Sequence, residues 1–129
     1  MSAAMNFTGS TVVLDVVDPS ASSRFFTIHL GYREVLAGED FVALARDDRA
    51  PDVLLRQRDL ELPPGRRSAG ALVSFAVTGI VAEDERLRGE NANITVPLHR
   101  EPWGAWQLEL TGPDGFVVQL VEWTPPAGV

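Results

Sequence analysis

The chain contains no cysteine and no lysine. Without thiols, disulfides, thiolate zinc sites and cysteine nucleophiles are excluded. Without lysine there is no Schiff-base chemistry and no Walker-type phosphate lysine, and all 11 basic residues are arginine. Positive charge is scarce as well. Eighteen acidic residues against 11 basic ones leave a net charge of -7, which argues against a nucleic-acid partner, because phosphate binding needs a concentrated basic surface. An acidic protein instead attracts cationic small molecules, weakly and at long range. No run approaches the roughly 18 apolar residues of a membrane span, so no membrane partner is expected. The start, Met1-Ser-Ala-Ala-Met-Asn6, lacks a basic region followed by an apolar one, and a cytoplasmic protein is expected.

What is present suits a single soluble domain: 129 residues, of which 45% are hydrophobic and 22% charged. Thr11 to Val17 is rich in β-branched residues and reads as a strand ending at the helix-start signal Asp18-Pro-Ser20. Ser20 to Leu30 carries Phe25, Phe26 and Leu30 at near-helical spacing, with Gly31 as its stop. Gly31 to Leu36, Phe41 to Ala45 and Val53 to Gln57 read as three strands. Leu62 to Gly70 has the Pro/Gly content of a linker. The order then repeats: strand Ala71 to Val77, helix Ala82 to Arg88 stopped by Gly89, and strands Ile94 to His99, Trp106 to Leu110 and Phe116 to Val121. Two modules, 8–62 and 68–124, share one βαβββ order, and neither could bury its sheet alone. Asn93-Ile-Thr95 matches a glycosylation triplet by chance.

Val12-Val-Leu-Asp-Val-Val-Asp18, Ser22-Ser-Arg-Phe-Phe26, Leu30-Gly31, Pro102-Trp-Gly104, and Gly112-Pro-Asp-Gly115 ahead of Val118-Gln-Leu120 together resemble the vicinal oxygen chelate superfamily. That is the group of glyoxalase I, extradiol dioxygenases, fosfomycin-resistance enzymes and bleomycin-resistance proteins. The resemblance implies an α+β fold of two βαβββ modules, their mixed sheets curled into a cup with helices outside and a ligand inside. It does not imply one chemistry.

In metal-dependent members the ligands are His or Glu at the start of each module's first strand and Glu or Gln in its last strand. Those places are held here by Thr11 and Leu72, by Leu54, Leu55 or Arg56 depending on register, and by Gln119. A divalent site needs three or four convergent hard or borderline donors, so no metal and no cofactor are expected. Strand alternation puts Val118 and Leu120 on one face and Val117, Gln119 and Val121 on the other. If the first face packs on a helix, Gln119 enters the cup, either with donor and acceptor free for a ligand or in a structural hydrogen bond.

His99 and Glu101 could form an acid/base pair or half a metal site, or a solvated loop pair, with Pro102 arguing against a strand that reaches so far. His29, near a helix C-terminus, reads as structural. Trp103, Trp106 and Phe41 could line an apolar concavity and stack on a guest, or pack as core. If Leu108 and Leu110 face a helix, Trp106 goes with them. The same parity places Gln107 and Glu109 toward the cup, with Asp15 across from them, which would favour a cationic guest. Glu83-Asp-Glu85 reads as a solvated run at a helix N-terminus.

The expected ligand-binding set is therefore Trp103, Gln119, Phe41, Trp106, His99, Glu109, Leu72 and Thr11, with no catalytic residue. These residues and the resemblance point to a metal-independent homodimer that sequesters a bulky aromatic natural product of the bleomycin, mitomycin or enediyne type. The alternative is a metal-dependent glyoxalase-like lyase or isomerase, or a dioxygenase, with ligands drawn from His99, Glu101, Glu109 or Gln119. A stand-alone domain that binds another protein is a third reading.

Overall fold

The computed structural model describes residues 8–57 and 71–123. They fall into two compact units, 1–60 and 61–129. The expected linker Leu62 to Gly70 lies outside the described residues, as do the outer ends of the two expected modules.

In the first unit, β1 (Thr11–Val16) alternates so that Leu14 and Val16 are buried while Val13 is exposed. The chain then enters α1 (Pro19–His29), where the Asp18 carboxylate accepts from the Ser20 and Ala21 N–H groups at 3.0 and 3.3 Å. This satisfies donors that the first helical turn leaves orphaned, and Pro19 sits where its missing N–H costs nothing. The helix stops at Gly31, whose φ of 69° suits a residue without a side chain. Strands β2 (Arg33–Ala37), β3 (Phe41–Ala45) and β4 (Asp52–Gln57) follow, in the sheet order β1-β4-β3-β2. Only β1 and β4 pair in parallel, since a helix connects the first strand to the rest. Leu14, Val16, Val42, Leu44, Val53 and Leu55 form the buried face, beneath Phe25 and Phe26 of α1. Tyr32 finishes the core: its ring stands edge-on to Phe26 and its hydroxyl donates to the Pro51 carbonyl at 2.8 Å. Arg46 lies over the Tyr32 ring, donates to the Leu30 carbonyl and pairs with Asp48 at 2.7 Å.

The second unit repeats the order with β5 (Leu72–Ala76), α2 (Ile80–Gly89), β6 (Ile94–Arg100), β7 (Ala105–Thr111), a short 3-10 turn at Pro113–Gly115, and β8 (Val117–Trp123). The sheet order is β5-β8-β7-β6, with β5 and β8 parallel. Leu108, Leu110, Val118 and Leu120 pack toward Ile80 and Leu87 of α2. The architecture is α+β, two βαβββ modules, as expected.

Three local expectations are corrected. Helix α2 begins at Ile80 rather than Ala82 and includes Gly89, while Asn91 takes the left-handed conformation (φ 58°) just after it. This start puts Asp84 in phase with Ile80 and Leu87, so Asp84 is buried and held by Arg88 at 2.8 Å; it is not part of a solvated run. Strand β6 reaches Arg100 despite the prolines beside and within it, because an edge strand can leave a missing N–H facing outward.

Candidate functional site

Each sheet carries a helix on one face, and the expected site residues of the second unit are settled by which face they occupy. Val118, Leu120 and Glu122 of β8 share the α2 side, where the Glu122 carboxylate accepts from the Gly79 and Ile80 N–H groups at 2.8 and 2.9 Å. Those two bonds hold Glu122 ionised, with its pKa lowered. Trp106 stands opposite Glu122 in the ladder and lies on this side too. Its parity with Leu108 and Leu110 takes it away from the face that carries Gln119.

The helix-free face holds a connected polar row. Ser74, Gln119 and Glu109 are ladder neighbours across β5, β8 and β7, and Gln107 is the ladder neighbour of both Val121 and His99. The Ser74 hydroxyl donates to Gln119 Oε1 at 2.9 Å, and Gln119 Nε2 donates to Gln107 Oε1 at 3.0 Å. This fixes the orientation of the Gln119 amide, with one N–H and one oxygen lone pair left over. Both expected roles are thus present in part: the amide makes structural bonds and keeps one donor and one acceptor position. The Gln107 nitrogen and the Glu109 carboxylate have no hydrogen-bond partner among the described residues. Alongside, the Thr95 and Thr111 hydroxyls lie 2.7 Å apart.

At the end of the row, His99 Nδ1 lies 2.9 Å from the Pro97 carbonyl and Nε2 lies 2.7 Å from Glu101 Oε1. The Pro97 carbonyl first and the Glu101 carboxylate second raise the His99 pKa above the ordinary imidazole range. Glu101 opens the β6–β7 hairpin turn: its N–H donates to the Ala105 carbonyl at 2.8 Å, and its own carbonyl accepts from Gly104 at 2.9 Å. Gly104 has φ 100°, which a side-chain-bearing residue would adopt only under strain. The turn carries Trp103, 59% exposed, and Trp123, 64% exposed, stands opposite Ala105. Leu72 opens β5 and is also exposed.

Thr11 and Phe41 belong to the first unit. Thr11 is an exposed strand start opposite Asp52. The Phe41 ring lies against Gly38, where an added Cβ would come within 2.3 Å of it, so the glycine makes room for the ring. Asp15 is engaged by Arg56 through two bonds of 2.7 and 3.2 Å, which neutralises the charge once assigned to a guest. The register also narrows the place for which Leu54, Leu55 and Arg56 were candidates: Leu55 is buried, while Leu54 and Arg56 share the helix-free face with Val13 and Asp15.

The residues present do not fit a divalent metal. Thr11, Leu72, Leu54 and Arg56 supply no imidazole or free carboxylate, and the Gln119 oxygen accepts from Ser74. Among the described residues, no three His, Asp or Glu side chains converge on one point. His99, Glu101 and Glu109 do not form such a cluster among the described residues. Ser74 was missing from the expected set; its parity with Leu72 was readable, but its partner, 45 positions away, was not.

No protein-family profile and no curated protein matches the sequence. Solved structures do match. TioX from Micromonospora sp. ML1 is 21% identical, with 92% of this chain and 100% of that one covered at a TM-score of 0.72. A glyoxalase/bleomycin resistance protein/dioxygenase from Nocardioides is 22% identical over 98% of this chain and 92% of its own, with TM-score 0.72. A lactoylglutathione lyase from Agrobacterium tumefaciens is 20% identical over 88% and 91%, with TM-score 0.71.

Proposed function

We propose that this chain, which has the vicinal oxygen chelate fold, is a metal-independent binding protein that confers antibiotic resistance in the cytoplasm by sequestering a bulky aromatic natural product. The guest class is that of bleomycin, mitomycin or an enediyne. The observation that carries this reading is the Ser74–Gln119–Gln107 row. Its Gln119 holds the last-strand place at which the family resemblance implies a metal ligand, and the row presents directional amides there. The row orients the polar edge of a guest, the exposed Trp103 ring stacks on its aromatic body, and Glu109, His99 and Leu72 border it. No covalent step is required of any of them.

The protein is a homodimer in this proposal. Strand β2 is an edge strand whose five residues are all exposed, among them Val35 and Leu36, and such an edge calls for cover. Native mass spectrometry of the protein purified without chelator tests the whole reading. The expected spectrum is a metal-free dimer that takes up one intact antibiotic per chain. One tightly held zinc, iron, nickel or manganese per chain would overturn the metal-independent reading, and a recovered ligand of altered mass with more than one equivalent turned over would make the protein an enzyme.

A further inference from the structure

The His99 side chain meets two acceptors at once, and this limits its charge state. A neutral imidazole has one N–H donor and one bare acceptor nitrogen. Here Nδ1 faces the Pro97 carbonyl at 2.9 Å and Nε2 faces the Glu101 carboxylate at 2.7 Å. Neither oxygen can donate, so only the imidazolium satisfies both. On losing its proton the ring must turn a lone pair toward one of them, and that contact becomes repulsive.

Both acceptors lie on the β6 arm of the hairpin, one before and one after its last ladder pair. Pro97 sits in β6 where the register with β7 shifts between Val96 and His99, and Glu101 begins the turn beyond the last ladder pair, Arg100 with Trp106. Two backbone hydrogen bonds hold the turn. Among the described residues, the His99–Glu101 pair is the side-chain bond on the turn, and Trp103 is part of that turn.

We infer that His99 is a proton-operated clamp on the β6–β7 hairpin, and that by ordering Trp103 it sets how tightly an aromatic guest is held. The inference rests on the reading of Trp103 as a guest-stacking wall. Below the raised pKa the imidazolium ties Pro97 to Glu101 and the hairpin is rigid. As pH rises through that pKa the tie is lost, and Trp103 must then be ordered at the expense of binding. The charged groups around the ring are Glu101 and Glu109 on the same sheet face and Arg100 next in β6. Behind β6, α2 carries Glu83 and Glu90 paired with Arg86, and Asp84 paired with Arg88. The other histidine, His29, is in α1 of the first unit.

The test is NMR of the full chain with 15N-labelled tryptophan, the Trp103 indole being assigned with Trp103→Phe. Its heteronuclear NOE should fall in one step between pH 5.5 and 9, at the midpoint read from the His99 ring carbons and above about 6.5. The Trp106 and Trp123 indoles serve as internal references. His29→Gln should keep the step and His99→Gln should lose it. If His99→Gln does not fold, the coincidence of the two midpoints in the unsubstituted protein decides.

Naphthalene-2-methanol, a neutral aromatic probe, should bind about two- to tenfold more tightly at pH 5.5 than at pH 9, the range expected when one side chain is already ordered. A flat Trp103 trace, or a step that persists in His99→Gln, overturns the clamp. Equal probe affinity at both pH values with a flat trace overturns the clamp alone and leaves the guest-binding reading standing. A clear step with no probe binding at either pH overturns the guest-wall role of Trp103, and with it the regulatory half of the inference.

Discussion

Two neighbouring serines on α1 should respond to the same substitution with opposite signs. Ser22 is wholly buried and its hydroxyl has no hydrogen-bond partner among the described residues. Ser23 is buried too, but its hydroxyl donates to Glu34 Oε1 at 2.5 Å. An unpaired buried hydroxyl costs about 1–3 kcal/mol in mutational terms. Ser22→Ala removes that cost and adds a few tenths of a kcal/mol of helix propensity, ~0.5 at most. Against this stands the void left by one oxygen, roughly 10 Å³, or about 0.2 kcal/mol at 24 cal/mol per Å³. The net expectation is a gain of about 1 kcal/mol. Ser23→Ala instead deletes a hydrogen bond to a charged but exposed acceptor and should cost about 1 kcal/mol. Urea unfolding followed by far-UV circular dichroism should move the two midpoints apart by about 1 M for an m-value near 2 kcal/mol/M, with the slope unchanged. Equal destabilisation by both substitutions would refute the reasoning, because Ser22 would then have a partner of its own.

Two further substitutions probe the site and the core. Gln119→Leu should leave stability within about 0.5 kcal/mol, since Ser74 and Gln107 can bond to water instead, yet weaken a bound guest about fivefold, the worth of one orienting hydrogen bond. A tryptophan-quenching titration beside a urea melt checks this, and lost stability with unchanged binding would make Gln119 structural. Tyr32→Phe should cost about 1 kcal/mol at neutral pH through the lost bond to Pro51. It should also flatten the alkaline limb of the stability curve. Burial, the largest influence on the group, pushes the Tyr32 pKa from 10.0 to about 12. The unfolded phenol thus ionises first, and stability is full below pH 10 and falls between pH 10 and 12. Urea midpoints measured from pH 8 to 11.5 for both proteins test the slope.

Much of the fold was legible because the signals were local. Asp18 before a proline, followed by Phe25 and Phe26 at helical spacing, is a complete helix start and inner face within a dozen residues. Alternation separated Val118 and Leu120 from Gln119, and the structure shows that the first two are the buried pair. Trp106, expected in the ligand-binding set, was legible only conditionally: the structure puts Leu108 and Leu110 on the helix side, and parity takes Trp106 with them. The N-terminus of α2 was not legible. Gly79 before it takes a left-handed conformation, φ 70°, and offers no side-chain cap. The cap is the Glu122 carboxylate, more than forty positions later. The resulting two-residue error in the start turned Asp84 from a buried ion-paired residue into an exposed one.

By itself, then, the sequence determined the element order, the division of the β7 and β8 residues between two faces, and the residue types at the places where the resemblance implies metal ligands. These follow from side-chain periodicity and residue type, which need no partner to be read. Tertiary structure alone decided which polar groups meet. Ser74 finds Gln119 only because β5 and β8 pair in parallel at one register, and a slip of one residue would send the amide to the helix side. Hydrogen bonds act over about 3 Å, while these partners lie 45 positions apart in sequence; until the sheet forms, nothing in the local pattern distinguishes one pairing from another.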